Sequence, residues 1–154
     1  MLVVAALFAV IKITNVIYMN IEPTSTSVGN LFAYKPMFFI SKYQRAYAWG
    51  VESVEDFIKD LKNCFLRRKS NVPVNHFFGG ILSVRHPVIG TVNQHEYEII
   101  DGQQRIATFT LLVSCLIYIY KELMTEAQTM GDTKNEYILE QRIKELSERF
   151  INFR

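Results

Sequence analysis

Eight residues, Glu98-Ile99-Ile100-Asp101-Gly102-Gln103-Gln104-Arg105, constrain this chain more than any other stretch. Tyr97 to Ile100 reads as a short strand, and it stops abruptly at Asp101-Gly102. A long apolar pattern with Ile106, Phe109, Leu112, Val113 and Leu116 then predicts a helix. A strand, a tight glycine turn and a helix N-terminus present backbone N–H groups to an anion. Gln103, Gln104 and Arg105 add side-chain donors in the first turn. The leading reading is a turn that holds nucleotide phosphates. A plainer reading makes Asp101 the N-cap and Gln104 its partner in a capping box. That reading leaves Gln103 and Arg105 unexplained. Arginine opposes the helix dipole in a first turn and calls for a nearby anion, either a carboxylate or a phosphate.

A second polar cluster lies upstream, in Tyr43-Gln44-Arg45-Ala46-Tyr47-Ala48-Trp49-Gly50. Gln44 and Arg45 read as further ligand donors. Tyr47 and Trp49 could stack on a base, but core packing is the expected role for both. A third cluster, His76 to Arg85, reads as a strand interrupted by Gly79-Gly80, which signals a bulge or a close approach of another group. This strand and the one feeding the central turn are expected to pair as a hairpin across a loop from His86 to Gln94.

The remaining elements frame these clusters. The chain has 154 residues, 49% of them apolar, which suits one domain with a proper core. A net charge of +2 neither demands nor excludes nucleic acid. Cys64 and Cys115 fall in apolar helical patterns and read as buried thiols of a reducing, cytoplasmic setting. Residues 1–19 are nearly all apolar. They admit four readings: a signal peptide, a membrane span, a stretch upstream of a true start at Met19, or a core strand or helix. Residues 20–154 form the domain proper. Residues 22–30 read as a turn-rich loop, and Leu31 to Ile40, with Pro36 inside, as an edge or irregular strand. Ser53 to Phe65 reads as an amphipathic helix begun by a Ser53–Asp56 box, with Arg67, Arg68 and Lys69 suiting its C-terminal dipole. Asn71 and Pro73 end it. The helix from Gln103 to about Met124 is apolar on nearly every side between Ile106 and Tyr120, which predicts the buried centre of a domain; that apolar run is too short to span a bilayer comfortably, so no membrane is expected. After a linker closed by Gly131, a Thr133–Glu136 box opens a last helix with Leu139, Ile143, Leu146 and Phe150 on one stripe.

The sequence has no Gly-rich loop ending in Lys-Ser or Lys-Thr, no Gly-x-Gly-x-x-Gly, no His-Glu-x-x-His and no paired Cys-x-x-Cys. His76, His86 and His95 lie around one hairpin, where surface histidines are commoner than a metal site. Glu96, Glu98 and Asp101 lack the nearby lysine of a nuclease centre.

The ordered blocks Tyr43 to Trp49, Phe77 to Ile81 and Ile100 to Arg105 resemble the N-terminal domain of GmrSD-type, modification-dependent restriction endonucleases. The resemblance covers roughly residues 31–124. It implies an α+β fold like that of the ParB N-terminal domain and sulfiredoxin, with a strand–turn–helix nucleotide motif packed by long helices. It further implies that Asp101, Gly102, Gln103, Gln104 and Arg105 bind, and could hydrolyse, a nucleoside triphosphate with a divalent metal such as Mg²⁺. Tyr43, Gln44 and Arg45 would form the partner motif. Asp101 would be the catalytic residue, holding the metal or orienting the attacking water, and Arg105 would stabilise phosphate charge. The setting implied is a restriction and phage-defence system. Ser41 stands where the family usually has proline. The larger chain of the family, often with a His-Asn-His-type nuclease half, has no counterpart in these 154 residues, so a nuclease domain or subunit is the implied partner and DNA cleavage by these residues alone is not expected. Two rivals remain open at this point: a DNA-binding or nuclease module gripping DNA phosphate, and a ligand-free structural domain with Arg105 paired to a carboxylate.

Overall fold

The computed structural model describes residues 2–14, 16–33, 37–71, 75–88, 90 and 95–151. The fold is mixed α+β. Strands β1 (Leu2–Thr14), β2 (Val16–Ser27), β3 (Met37–Phe39), β4 (His76–Pro87) and β5 (His95–Asp101) form one sheet in the order β2-β1-β4-β5-β3. Helices α1 (Val28–Ala33), α2 (Val51–Lys69), α3 (Gln103–Met130) and α4 (Thr133–Phe150) complete the chain. The chain divides into two compact units with a boundary inside α3, after Ile106.

In the first unit, β4 and β5 pair antiparallel as the expected hairpin, with Val84 opposite Glu98 and Arg85 opposite Tyr97. The β1–β4 and β3–β5 pairs are parallel. Within the N-terminal segment, residues 2–14 form β1 and residues 16–19 begin β2. Residues 22–30 are not a loop: Glu22 to Ser27 continue β2, and α1 follows. Thr24 and Thr26 have the β-branched shape that suits a strand. Pro23 is tolerated because β2 lies at the edge of the sheet. Ser27 Oγ then accepts from the Asn30 N–H at 3.1 Å and caps α1. Of the stretch from Leu31 to Ile40, expected as an edge or irregular strand, Met37–Phe39 form the edge strand β3, whereas Leu31 to Ala33 are helical and close α1. Pro36, expected inside an edge or irregular strand, and Pro73, expected to end the helical segment, lie outside the described residues, as do residues 89 and 91–94 of the expected His86–Gln94 loop. His86 itself belongs to β4.

The core of this unit gathers Val28, Leu31, Phe32, Phe57, Phe78, Ile81 and Ile99. Phe57 on α2 meets Phe78 on β4 edge to face at 5.8 Å, which ties the helix to the sheet. Such pairs add about 1 kcal/mol beyond burial. α2 starts two residues before the expected box. Its N-cap is Gly50, whose carbonyl accepts the Val54 N–H, so Ser53 sits inside the first turn and caps nothing. Arg67, Arg68 and Lys69 occupy the last turn as expected. Asn71 ends the segment with φ +60°, a conformation asparagine tolerates.

The second unit is a helical hairpin made of α4 and the greater part of α3. Gly131 joins them with φ +68°. The Asp132 N–H bonds to Ala127 O and the Gly131 N–H to Gln128 O, the paired pattern of a glycine-terminated helix. The α4 cap is Asp132, not Thr133: the Asp132 carboxylate accepts from the Asn135 N–H. An aspartate one residue earlier is the stronger cap, because a carboxylate also complements the helix dipole. Glu136, the other half of the expected box, accepts from Gln128 Nε2. Phe109 and Phe150 meet edge to face at 5.4 Å.

The expectation that α3 is enclosed is not met. Phe109, Val113 and Ile117 are buried, but Leu111, Tyr118 and Ile119 are exposed. The helix extends well beyond the Ile106–Tyr120 run, and at 28 residues it is long and apolar enough to cross a membrane by length and composition. The cysteines are free thiols, Cys64 half-buried and Cys115 exposed, so only the first is near the burial expected of it.

Candidate functional site

The site is built where β5 runs into α3. Asp101 is the last residue of β5 and pairs with Leu82 beyond a bulge at Ile100 of β5. Gly102 follows with φ +91°, a conformation that glycine adopts freely. The Gly102 carbonyl accepts the Ile106 N–H at 3.2 Å, so Gly102 occupies the N-cap position and Asp101 precedes it. This displaces the plain reading in which Asp101 caps α3. A Cβ on Gly102 would stand 2.9 Å from the Gly80 carbonyl oxygen, so the turn lies directly on β4.

The Phe-Phe-Gly-Gly block has an equally local cause. Gly79 adopts φ +115°, and a Cβ there would meet Arg105 Nε at 2.7 Å. The space left by Gly79 holds the Arg105 side chain, whose Nη1 donates to Gly80 O at 3.1 Å. Arg105 therefore answers the dipole problem with a backbone carbonyl; no ion pair to it is formed among the described residues.

The two glutamines reach the loop that carries the upstream cluster. Gln103 Nε2 donates to Arg45 O at 3.1 Å. Gln104 Nε2 donates to Ala46 O at 3.3 Å, while its Oε1 accepts the Ala48 N–H at 2.8 Å. From the other side, Gln44 Nε2 donates to Ile99 O at 2.6 Å. Three amide side chains thus stitch residues 44–48 to the β5–α3 junction. Each amide oxygen is oriented by the carbonyl its nitrogen must face. Gln44 Oε1 and Gln103 Oε1 end up buried without a partner among the described residues. A buried, unsatisfied acceptor costs about 1–3 kcal/mol.

Between loop and helix lies a cavity of about 300 Å³. Gln44, Arg45, Trp49 and Ile100 line it together with Asp101 to Arg105. The upstream and central clusters, more than fifty residues apart in sequence, share one cavity. Arg45 and Asp101 are exposed, and their charged groups have no partner among the described residues. The Trp49 ring packs 5.9 Å from that of Phe57, in line with the packing role expected of it, and the half-buried residue also lines the cavity. Tyr43 and Tyr47, by contrast, are exposed rather than core residues.

One group of residues was missed by sequence reasoning. Glu98 accepts hydrogen bonds from Ser41 Oγ and, at 2.6 Å, from the Tyr43 hydroxyl, both on Oε1. Its Oε2 meets His86 Nε2 at 3.0 Å. The Ser41 bond, then the Tyr43 bond, then the contact with His86 hold the Glu98 carboxyl below its ordinary pKa against the opposing effect of burial. The hydroxyl at position 41 makes the first of these bonds. The hairpin register could have suggested His86, since Glu98 faces Val84, two residues away on β4. Nothing local in the sequence points to Ser41. The three histidines do not converge: His95 bonds Arg85, His86 bonds Glu98, and no group of three His, Cys, Asp or Glu side chains could hold a metal ion among the described residues.

No individual curated protein matches the chain. The family described as GmrSD restriction endonuclease, N-terminal domain, matches residues 28–153. That span holds every residue of the cavity, all three sequence blocks and the Glu98 group, and with it the chain belongs to the family of GmrSD restriction endonuclease N-terminal domains.

Proposed function

We propose that the chain is the nucleoside-triphosphate-binding part of a restriction and phage-defence system, and that the cavity at the α3 N-terminus takes the phosphates. The observation that carries this reading is the convergence of Arg45, Asp101 and the first turn of α3 on one polar cavity. At about 300 Å³ it lies at the lower end of small-molecule sites, enough for a phosphate chain with the nucleoside extending outward. The leading N–H groups of a helix lack intrahelical acceptors and favour an anion. Arg45 supplies a guanidinium, unpaired among the described residues, suited to bidentate phosphate contact. The ParB/sulfiredoxin-like fold implied by the sequence resemblance agrees with this placement.

The residues present fit a divalent metal in one way only. Asp101 is the one carboxylate lining the cavity, and Mg²⁺ favours one or two carboxylates with phosphate oxygens and water completing its shell. Bound there, the metal would neutralise phosphate charge. Asp101 would hold it or orient a water for hydrolysis, and Tyr43 would act through the loop rather than in the cavity. The nuclease activity of such a system then belongs to a partner domain or subunit, with DNA as that partner's substrate.

A second reading draws on a specific observation: Gln103, Gln104 and Arg105 all donate to backbone carbonyls. On that reading they only build the fold. Calorimetric titration with ATP, GTP and CTP plus Mg²⁺ separates the two. Saturable binding is expected, and Arg45→Ala should weaken it at least about tenfold, the loss typical of a charged hydrogen bond. Because the Arg45 guanidinium has no partner among the described residues, the thermal midpoint of the variant should stay within about 2 °C of the parent's. Salt-sensitive DNA binding without any triphosphate response would instead favour the DNA-gripping module. Binding of neither would leave the structural reading.

A further inference from the structure

We infer that Glu98 is a positioning residue for the cavity: through one carboxylate oxygen it fixes the 41–44 turn and so sets where Gln44 and Arg45 stand. The inference rests on the nucleotide-binding reading for its consequence and on the geometry alone for its cause.

The geometry is a two-sided clamp. Ser41 to Gln44 form a turn closed by the bond from the Gln44 N–H to Ser41 O at 3.0 Å. Glu98 takes a hydroxyl from each side of Lys42, Ser41 before it and Tyr43 after it, on the same Oε1. The next residue, Gln44, bonds the carbonyl of Ile99, the residue after Glu98. The turn is therefore held by three bonds to two consecutive residues of β5, and the Arg45 carbonyl is held from α3 by Gln103. Tyr43 is 76% exposed, so its ring is not kept in place by burial. Its hydroxyl bond to Glu98 is what orders it. Behind Glu98, His86 approaches from β4 and occupies Oε2, which keeps Oε1 turned to the loop. Phe39 of β3 stands opposite Glu98, its ring 5.7 Å from that of His86, and limits the room for the carboxylate to swing away. Glu96 is the other titratable group on this face, opposite His86 in the hairpin. Charge-assisted hydrogen bonds of this kind are about twice as strong as neutral ones.

The clamp also gives each substitution a different expected result. Glu98→Gln keeps an oxygen in the Oε1 position, which can still accept from both hydroxyls. Glu98→Ala removes all three contacts. The loop itself carries two tryptic sites, after Lys42 and after Arg45. Limited trypsinolysis of the full chain, read by mass spectrometry, measures the freedom of the loop without any ligand. Titration with ATP, GTP and CTP plus Mg²⁺ measures the site.

Glu98→Ala should raise cleavage after Arg45 about tenfold and weaken triphosphate binding by a similar factor, while Glu98→Gln stays within about twofold of the parent on both measures. Unchanged cleavage in Glu98→Ala would overturn the inference. So would equal losses in the two variants, which would mark the role as charge or packing rather than acceptance at Oε1. A freed loop with undiminished triphosphate affinity would sever Glu98 from the site and also overturn it. If the parent binds no triphosphate, yet Glu98→Ala still frees the loop and Glu98→Gln does not, the nucleotide-binding reading fails while the hold of Glu98 on the loop is upheld.

The same carboxyl gives the turn a pH dependence. Its folded-state pKa is depressed, so its contribution to stability is complete above the ordinary glutamate range and is lost as pH falls through the lower, folded value. In urea denaturation the parent should therefore lose stability relative to Glu98→Gln only on acidification below that range.

Discussion

Replacing Gly102 with alanine is expected to destabilise the first unit by roughly 3 kcal/mol, the sum of a left-handed backbone penalty and a clash with an immovable neighbour. At φ +91° an L-residue is strained whatever its surroundings. Here the surroundings add to the strain, because the new Cβ would stand 2.9 Å from the Gly80 carbonyl oxygen and 3.2 Å from Ile81 Cα. Both are backbone atoms of β4 and cannot rotate aside. Relief requires the first turn of α3 to lift from the sheet. That movement would also pull Arg105 from the space over Gly79 and break its bond to Gly80 O. Urea denaturation measures the loss. A change of less than about 1 kcal/mol would mean that the turn is not seated on β4 as described.

Gln104→Ala is expected to cost about 2–3 kcal/mol, because it strips both partners from the loop at once. Gln104 is 7% exposed, accepts from the Ala48 N–H and donates to Ala46 O. Its amide matches the backbone as a strand would, one donor and one acceptor. Glutamate in its place tests that match. Gln104→Glu can still accept from Ala48, but an ionised carboxylate cannot donate to Ala46 O and is repelled by it. The variant should be destabilised at neutral pH and recover relative to the parent as pH falls and the carboxyl regains a proton. The sign follows from a group that is better accommodated protonated, whose folded pKa is raised, so that its stability is present at low pH and lost as pH rises. Equal stability of Gln104→Glu and parent at neutral pH would contradict the paired contact.

These contacts explain what the sequence could convey. The Tyr97–Arg105 stretch was legible as strand, turn and helix because three local signals agree there: alternation, a glycine and a helical period. The hairpin and the interruption at Gly79-Gly80 were legible for the same reason. The destination of the polar side chains was not. An amide or guanidinium donor can meet a phosphate or a backbone carbonyl, and the choice depends on where a loop nearly sixty residues away comes to rest. Gln103, Gln104 and Arg105 were expected to face a ligand; each is found donating to backbone, and Arg45 is left as the cation facing the cavity without a partner among the described residues. The helix starts of α2 and α4 were misplaced by one to three residues because neighbouring Ser, Thr, Asp and Gly all satisfy the cap pattern, and only geometry selects among them. The Glu98 clamp was illegible for a further reason. It joins three segments, and its Ser41 member is a residue with no distinctive pattern around it.

The exposed apolar residues of α3 overturn a different inference. A helix apolar on all sides was taken to be a buried one, yet Leu111, Tyr118 and Ile119 are open. Apolarity reports what a helix can bury, not what lies against it in a given chain.

The most direct test of the central claim uses the single tryptophan. Trp49 lines the cavity beside Arg45, so its emission reports on whatever enters. Titration of the full chain with ATP, GTP or CTP in the presence of Mg²⁺ should change that emission saturably for at least one nucleotide, and Arg45→Ala should remove the change while remaining folded. A folded parent whose Trp49 emission is indifferent to every triphosphate would contradict the account.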